Sequence, residues 1–124
     1  LPEGTETVLV VEDEPGVRSL AVGFLEHQGY SVLEARHGRH GLEVYERERE
    51  RIDLVLTDVV MPEMNGPEMI RTLQQTEPDL RFLYMSGYTD QVLGTETADF
   101  SALLVQKPFS IEELVLKVRE VIDG

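Results

Sequence analysis

Cysteine is absent from this 124-residue sequence. Its absence excludes a disulfide scaffold, thiolate metal sites and cysteine nucleophiles, and fits a reducing, cytoplasmic setting. Basic charge is scarce as well. Eleven Lys and Arg stand against 24 Asp and Glu, for a formal net charge of -13 at pH 7. That balance makes wrapping of nucleic acid or docking on an anionic membrane unfavourable, so direct partners are expected to be proteins or cations. No apolar run approaches the ~20 residues of a membrane span, and no basic-then-apolar signal opens the chain. The sequence begins with Leu rather than Met, as an excised or processed piece would, which leaves room for membrane anchoring elsewhere in a longer parent.

What is present suits one folded domain. Hydrophobic residues make up 41% and charged residues 28%, ordinary values for a globular chain long enough to bury a single core. Residues 1–7 (LPEGTET) are polar, carry Pro and Gly and lack periodicity, and read as a linker or tail ahead of a domain at 8–124. Short runs rich in Val, Leu and Ile follow at Val8–Val11, Ser31–Glu34, Ile52–Thr57, Arg81–Met85 and Ala102–Val105. They predict strands, the first, third and fifth of them buried on both faces as in a parallel sheet.

Helical periodicity fills the gaps. Val17, Leu20, Ala21, Phe24 and Leu25 share a face before Gly29, which suits a left-handed stop. Ser110 and Glu113 form a capping box ahead of Ile111, Leu114, Val115, Val118 and Ile122. A second helix, about 38–49, is anchored by Leu42 and Tyr45 but is otherwise a charged face. A third runs from about Gly66 to Gln75, and the segment 89–100 is weakly patterned. Strands alternating with helices predict an α/β fold, a doubly wound five-stranded parallel sheet in three layers, α/β/α. Right-handed crossovers then bring the C-terminal strand ends to one edge, where such sheets bind ligands.

That edge collects Glu12 and Asp13 after the first strand, Asp58 after the third, Ser86 after the fourth and Lys107 after the fifth. Crowded carboxylates raise one another's pKa values or bind a cation, and an all-oxygen donor set suits a hard ion such as Mg²⁺ better than zinc. Each element has a plainer reading. The acids after the first strand can simply complement a helix dipole, Asp58 can be a loop acid, Ser86-Gly87 a turn, and Lys107-Pro108 a surface lysine before a proline. Their occurrence together, each at a strand end, favours a site. His27, His37 and His40 show no paired ligand spacing and read as surface residues, and Met61, Met64 and Met69 read as packing.

Four stretches, VLVVEDE, LTDVVMPEMNG, MSG and QKPF, resemble the signatures of receiver domains of two-component signalling. The likeness covers Glu6 to Gly124. It implies a flavodoxin-like, CheY-like (βα)5 fold with strand order 2-1-3-4-5. It also implies Asp58 as phosphoacceptor, taking a phosphoryl group from a phosphohistidine on a partner. Glu12, Asp13, Asp58 and the Val60 backbone carbonyl would hold Mg²⁺, for which Mn²⁺ could substitute. Lys107, the Ser86 hydroxyl and Gly87 would bind phosphoryl oxygens. The resemblance also makes Lys107-Pro108 a candidate cis bond, with Pro62 and Gly66 shaping the loop after Asp58.

Signal output would run through Ser86 and the fifth-strand position of Leu104, where the family usually has Tyr or Phe, which puts an aromatic switch in doubt. Val60 and Tyr88 would flank the approach of hydrolytic water. The finer likeness, VVEDEPGVR and LYMSGYTD included, is to the C-terminal receiver of hybrid sensor histidine kinases. A stand-alone or output-less response regulator, or a degenerate receiver serving only as an interaction module, stays open. Expected partners are a histidine kinase or a histidine phosphotransfer protein, without direct nucleic acid or membrane contact, and the expected state is a monomer or weak dimer. The isolated domain would be a phosphoacceptor rather than a turnover enzyme. A flavin module would need a neutral phosphate loop where EDEPG stands, and an aspartate-nucleophile phosphatase would need a second Asp two residues after Asp13, where Pro15 stands.

Overall fold

Val8, Leu9, Val10 and Val11 are all fully buried, and their side chains part to opposite faces of one sheet. The computed structural model describes residues 1–87 and 103–124. Its strands are β1 (Thr7–Val11), β2 (Ser31–Ala35), β3 (Leu54–Asp58), β4 (Phe82–Ser86) and β5 (Leu104–Gln106). They are parallel and ordered β2-β1-β3-β4-β5. The described helices are α1 (Pro15–His27), α2 (Gly38–Glu48), α3 (Gly66–Gln74) and α4 (Ile111–Asp123).

Two cores follow from the strand period of two. Val8 and Val10 meet Ala21 and Leu25 of α1 and Leu114, Val118 and Ile122 of α4. Leu9 and Val11 meet Val44 and Tyr45 of α2 and Met69, Ile70 and Leu73 of α3. A β1 buried on both faces carries apolar residues at every position, which is why VLVV reads as an unbroken run. β3 behaves likewise. β5 does not: over Leu104–Gln106 its pattern is half-buried, buried, exposed, and Ala102, the expected start, lies outside the described residues. Among the described residues it pairs with β4 alone, as an edge strand whose outer side needs no apolar cover.

The helix ends carry their own instructions. Gly29, at φ 101°, stops α1 as expected, and a Cβ there would come within 2.5 Å of the Gly4 carbonyl oxygen. Leu20 departs from the expected buried face and is 45% exposed. Reciprocal capping boxes close α4 at Ser110 and Glu113 and α3 at Asn65 and Glu68. On α2, Tyr45 is buried as expected and Leu42 half-buried, while Val44 is a further buried anchor. Ahead of β1, the Gly4 N–H donates to the Gln28 carbonyl at 3.0 Å, and the Glu6 carbonyl accepts from Ser31 N–H at 3.0 Å. Arg119 of α4 grips the Glu6 carboxylate with both terminal nitrogens, at 3.0 and 2.7 Å. Tyr88 and the weakly patterned 89–100 segment lie outside the described residues.

Candidate functional site

Strand register brings the polar residues together. Val11 is level with Ala35 on one side and Thr57 on the other, so Glu12 and Asp58 leave their strands at the same height. Asp58 is level with Met85, and Ser86 with Gln106, which puts Lys107 one step beyond the rim. The Lys107 N–H donates to the Ser86 carbonyl at 2.8 Å, extending the ladder to the lysine itself. The Lys107-Pro108 bond is cis, as the resemblance implies.

The charges meet closely. Lys107 Nζ is 3.0 Å from Asp58 Oδ1 and 3.0 Å from Glu12 Oε1. Glu12 is fully buried and Asp58 nearly so. Asp58 Oδ1 also accepts from the Val59 N–H at 2.9 Å, and Glu12 Oε2 accepts from the Glu14 N–H at 3.1 Å. Burial pushes the Glu12 carboxyl up to about 7, against the Glu14 N–H and the lysine, which pull it down. For Lys107, burial works to lower the ammonium's pKa, but the two carboxylates outweigh it and the net shift is upward. The lysine therefore stays a cation.

One oxygen atom of each of Glu12, Asp13 and Asp58 lies within 4.8 Å of the other two. Glu12 Oε1 is buried, with the Lys107 ammonium at 3.0 Å as its partner. An all-oxygen triad of this span suits a hard divalent cation. The residues fit that group. Val60 follows on an exposed loop position, 49% accessible.

Backbone packing fixes Asp58. The Gly66 N–H donates to the Val59 carbonyl at 2.8 Å, and a Cβ on Gly66 would sit 2.2 Å from the Asp58 carbonyl oxygen. Only glycine lets α3 start so near. Buried Thr57 donates its hydroxyl to that same carbonyl at 3.0 Å. In the intervening loop Glu63 has φ 68°, a left-handed conformation unusual for a non-glycine residue. The Ser86 hydroxyl is buried at the rim and donates to the Gly87 carbonyl at 3.1 Å.

Other expected residues fall elsewhere. Leu104 is half-buried in the α2–α3 core, level with buried Tyr84 on β4. Met61 and Met69 are buried and Met64 half-buried, consistent with packing. His37 is exposed and His40 half-buried, in line with the surface reading, and both also bond the local backbone. His37 Nδ1 caps α2 by accepting from the His40 N–H at 3.1 Å, and His40 Nδ1 accepts from the Arg36 N–H at 3.0 Å. His27 is exposed. Arg18 is a further residue at the site, donating to the Glu12 carbonyl at 2.8 Å.

Comparison with known proteins agrees with this geometry. The family model described as response regulator receiver domain matches residues 8–119. "Sensor kinase CckA" of Brucella abortus is 41% identical over 121 residues, which are 97% of this chain and 13% of that protein. "Response regulator receiver protein CpdR" of the same organism is 34% identical over 93% of this chain and 95% of its own length. The crystal structure of the receiver domain from hybrid histidine kinase CckA superposes with a TM-score of 0.74 at 30% identity, covering 94% of this chain and 98% of that one.

Proposed function

The chain belongs to the response regulator receiver domain family of two-component signalling, and on that premise we propose that Asp58 is its phosphoacceptor. One observation carries the reading: a single half-buried lysine ammonium lies 3.0 Å from both Asp58 and Glu12 within a triad of carboxylates. A carboxylate is a weak nucleophile, so barrier lowering must come from positioning and charge neutralisation.

In the proposed transfer an Asp58 carboxylate oxygen forms a bond to the phosphorus of a partner's phosphohistidine. The phosphorus–nitrogen bond breaks, and the imidazole nitrogen leaves with the electron pair. Lys107 holds a phosphoryl oxygen, offsetting the negative charge that the incoming phosphoryl group adds at the site. Ser86 turns its hydroxyl from the Gly87 carbonyl to a second oxygen, with the Gly87 backbone beside it. Glu12, Asp13, Asp58 and the Val60 carbonyl would hold Mg²⁺, or Mn²⁺ in its place. The bound ion would neutralise charge on the transferred phosphoryl oxygens. Val60, exposed beside the acceptor, and Tyr88, outside the described residues, would slow hydrolysis by hindering water.

The phosphoryl donor in this reading is a histidine kinase or a histidine phosphotransfer protein. The likeness to the receiver of a hybrid kinase supports a place in such a kinase, in this reading at its C-terminus. Match to nearly the whole of a free-standing receiver protein supports the alternative of a stand-alone regulator. The chain spans 13% of the kinase it resembles, so kinase activity would belong to a longer parent. Among the described residues no helix is long and apolar enough to cross a membrane.

The test is a small-molecule phosphodonor, acetyl phosphate, given with and without Mg²⁺ to the wild-type chain and to Asp58→Asn. Intact-mass measurement should show one phosphoryl group on wild type with Mg²⁺ and none on the variant. Equal labelling of both proteins would refute Asp58.

A further inference from the structure

We infer that Arg18 is a positioning residue for the cation seat, acting through the peptide bond that joins Glu12 to Asp13; this rests on the proposed function. Val11 is the last β1 residue in register with both neighbouring strands. Beyond it the chain must turn into α1 while still presenting two adjacent acids. The Glu12 N–H keeps a strand-like bond to the Ala35 carbonyl at 3.1 Å. Its carbonyl instead accepts from Arg18 Nη1 at 2.8 Å. A peptide unit is planar, so a donor fixed on that carbonyl restricts the last torsion of Glu12 and the first of Asp13 together. One hydrogen bond thus orients both carboxylates.

The guanidinium is itself held. Its Nε lies 3.3 Å from Glu34 Oε1 on β2, and the Arg18 side chain is only 15% exposed. The rigid fork therefore spans the end of β1, the first turn of α1 and the adjacent strand. A lysine could supply the charge but not the two-directional donor geometry. Partners of this kind, one step removed from metal ligands, commonly shift metal affinity about 10- to 100-fold when removed.

Charge and positioning predict opposite signs. As a mere positive charge near an anionic seat, Arg18 would oppose cation binding, and Arg18→Met would tighten it. As a positioning residue it favours binding, and the same variant weakens it. The measurement is calorimetric titration of MgCl₂ into the unphosphorylated 124-residue chain, with thermal unfolding followed in parallel. Arg18→Met should raise the Mg²⁺ Kd about tenfold. Arg18→Lys should also raise it, and Glu34→Gln should raise it less, with the Arg18→Met/Glu34→Gln pair no worse than Arg18→Met alone. Folded Arg18→Met and Arg18→Lys that bind Mg²⁺ as tightly as wild type, or more tightly, overturn the inference. Should Arg18→Met fail to fold, Arg18→Lys and Glu34→Gln decide the matter by the same criterion. A wild-type chain that binds no Mg²⁺ overturns the cation reading beneath it, a result distinct from variants that bind normally.

Discussion

Lys107 and Asp58 meet at 3.0 Å across the C-terminal edge of the sheet, ammonium Nζ against Oδ1. The lysine is 19% exposed and the acid side chain 6%, so their attraction is only weakly screened. Both arrive by register rather than by flexible reach.

Lys107→Ala should therefore separate two properties. Loss of a preorganised cation at the transferred group should slow phosphorylation from acetyl phosphate by about 10². Mg²⁺ affinity should hold or improve, because a competing cation has left. Without Mg²⁺ the variant should lose roughly 2 kcal/mol of stability, less than the ~3–5 of a fully buried pair, because the lysine keeps some solvent. Saturating Mg²⁺ at ~100 times its Kd should return up to about 2.7 kcal/mol. A matched set of urea melts and labelling rates checks each part, and a variant that labels at the wild-type rate would remove Lys107 from the chemistry.

Gly66→Ala tests the backbone beneath the acceptor. The added methyl would lie 2.2 Å from the Asp58 carbonyl oxygen, and the obstacle is main chain rather than a movable side chain. Either α3 or Asp58 must shift. Overpacking of this kind costs about 1–3 kcal/mol, and here it should also reduce Mg²⁺-dependent labelling of the protein that remains folded. Unchanged melting and labelling would show that the α3 start is softer than its packing indicates.

Much of this was legible in the sequence because it rests on local rules. β1 and β3, buried on both faces, announce themselves as apolar runs, and the polar residues that follow them fall at the rim. Gly29 and the Ser110–Glu113 box mark helix ends by chemistry that needs no tertiary information. The Asn65–Glu68 box carries the same kind of local signal in NGPE. The strand order came from resemblance, since no periodicity specifies which strands neighbour each other. Leu20 was misplaced because helical spacing gives the direction of an apolar face and not its width. Arg18 and the two histidines were invisible for another reason: a side chain that bonds a backbone carbonyl or N–H across a turn leaves no pattern in the residue types around it.

Glu6 and Arg119 offer a pH test remote from the rim. The Arg119 hydrogen bonds hold the Glu6 carboxyl down at about 2, below its ordinary 4.5. With the folded value lower than the unfolded one, the pair's contribution is complete above 4.5 and lost as pH falls through about 2. The side chains are 26% and 20% exposed, so solvent screening keeps the contribution small. Urea midpoints for wild type and Glu6→Gln should differ near neutrality and converge in acid. A constant difference across that range would show that the carboxylate charge is not what Arg119 holds.

His40, on the first turn of α2, should respond at milder pH. His40 Nδ1 accepts from the Arg36 N–H, which a protonated imidazole cannot do, so that contact requires a neutral ring. Burial lowers the His40 pKa, helped by Arg36, His37 and Arg47 and opposed by Glu43. With the folded value below the ordinary 6.5, this stabilisation is present above 6.5 and lost as pH falls toward the lowered value. The consequence reaches the acceptor loop, because a Cβ on Gly38 would lie 3.0 Å from Met64, leaving the helix start little room to shift independently. Protection factors of the α2 amides, corrected for the slower intrinsic exchange in acid, should fall as pH drops toward the lowered His40 value. In His40→Gln the Arg36 contact no longer depends on a titrating ring, so this loss of protection should disappear. Identical pH profiles for the two proteins would exclude the His40 contact as the source of the effect.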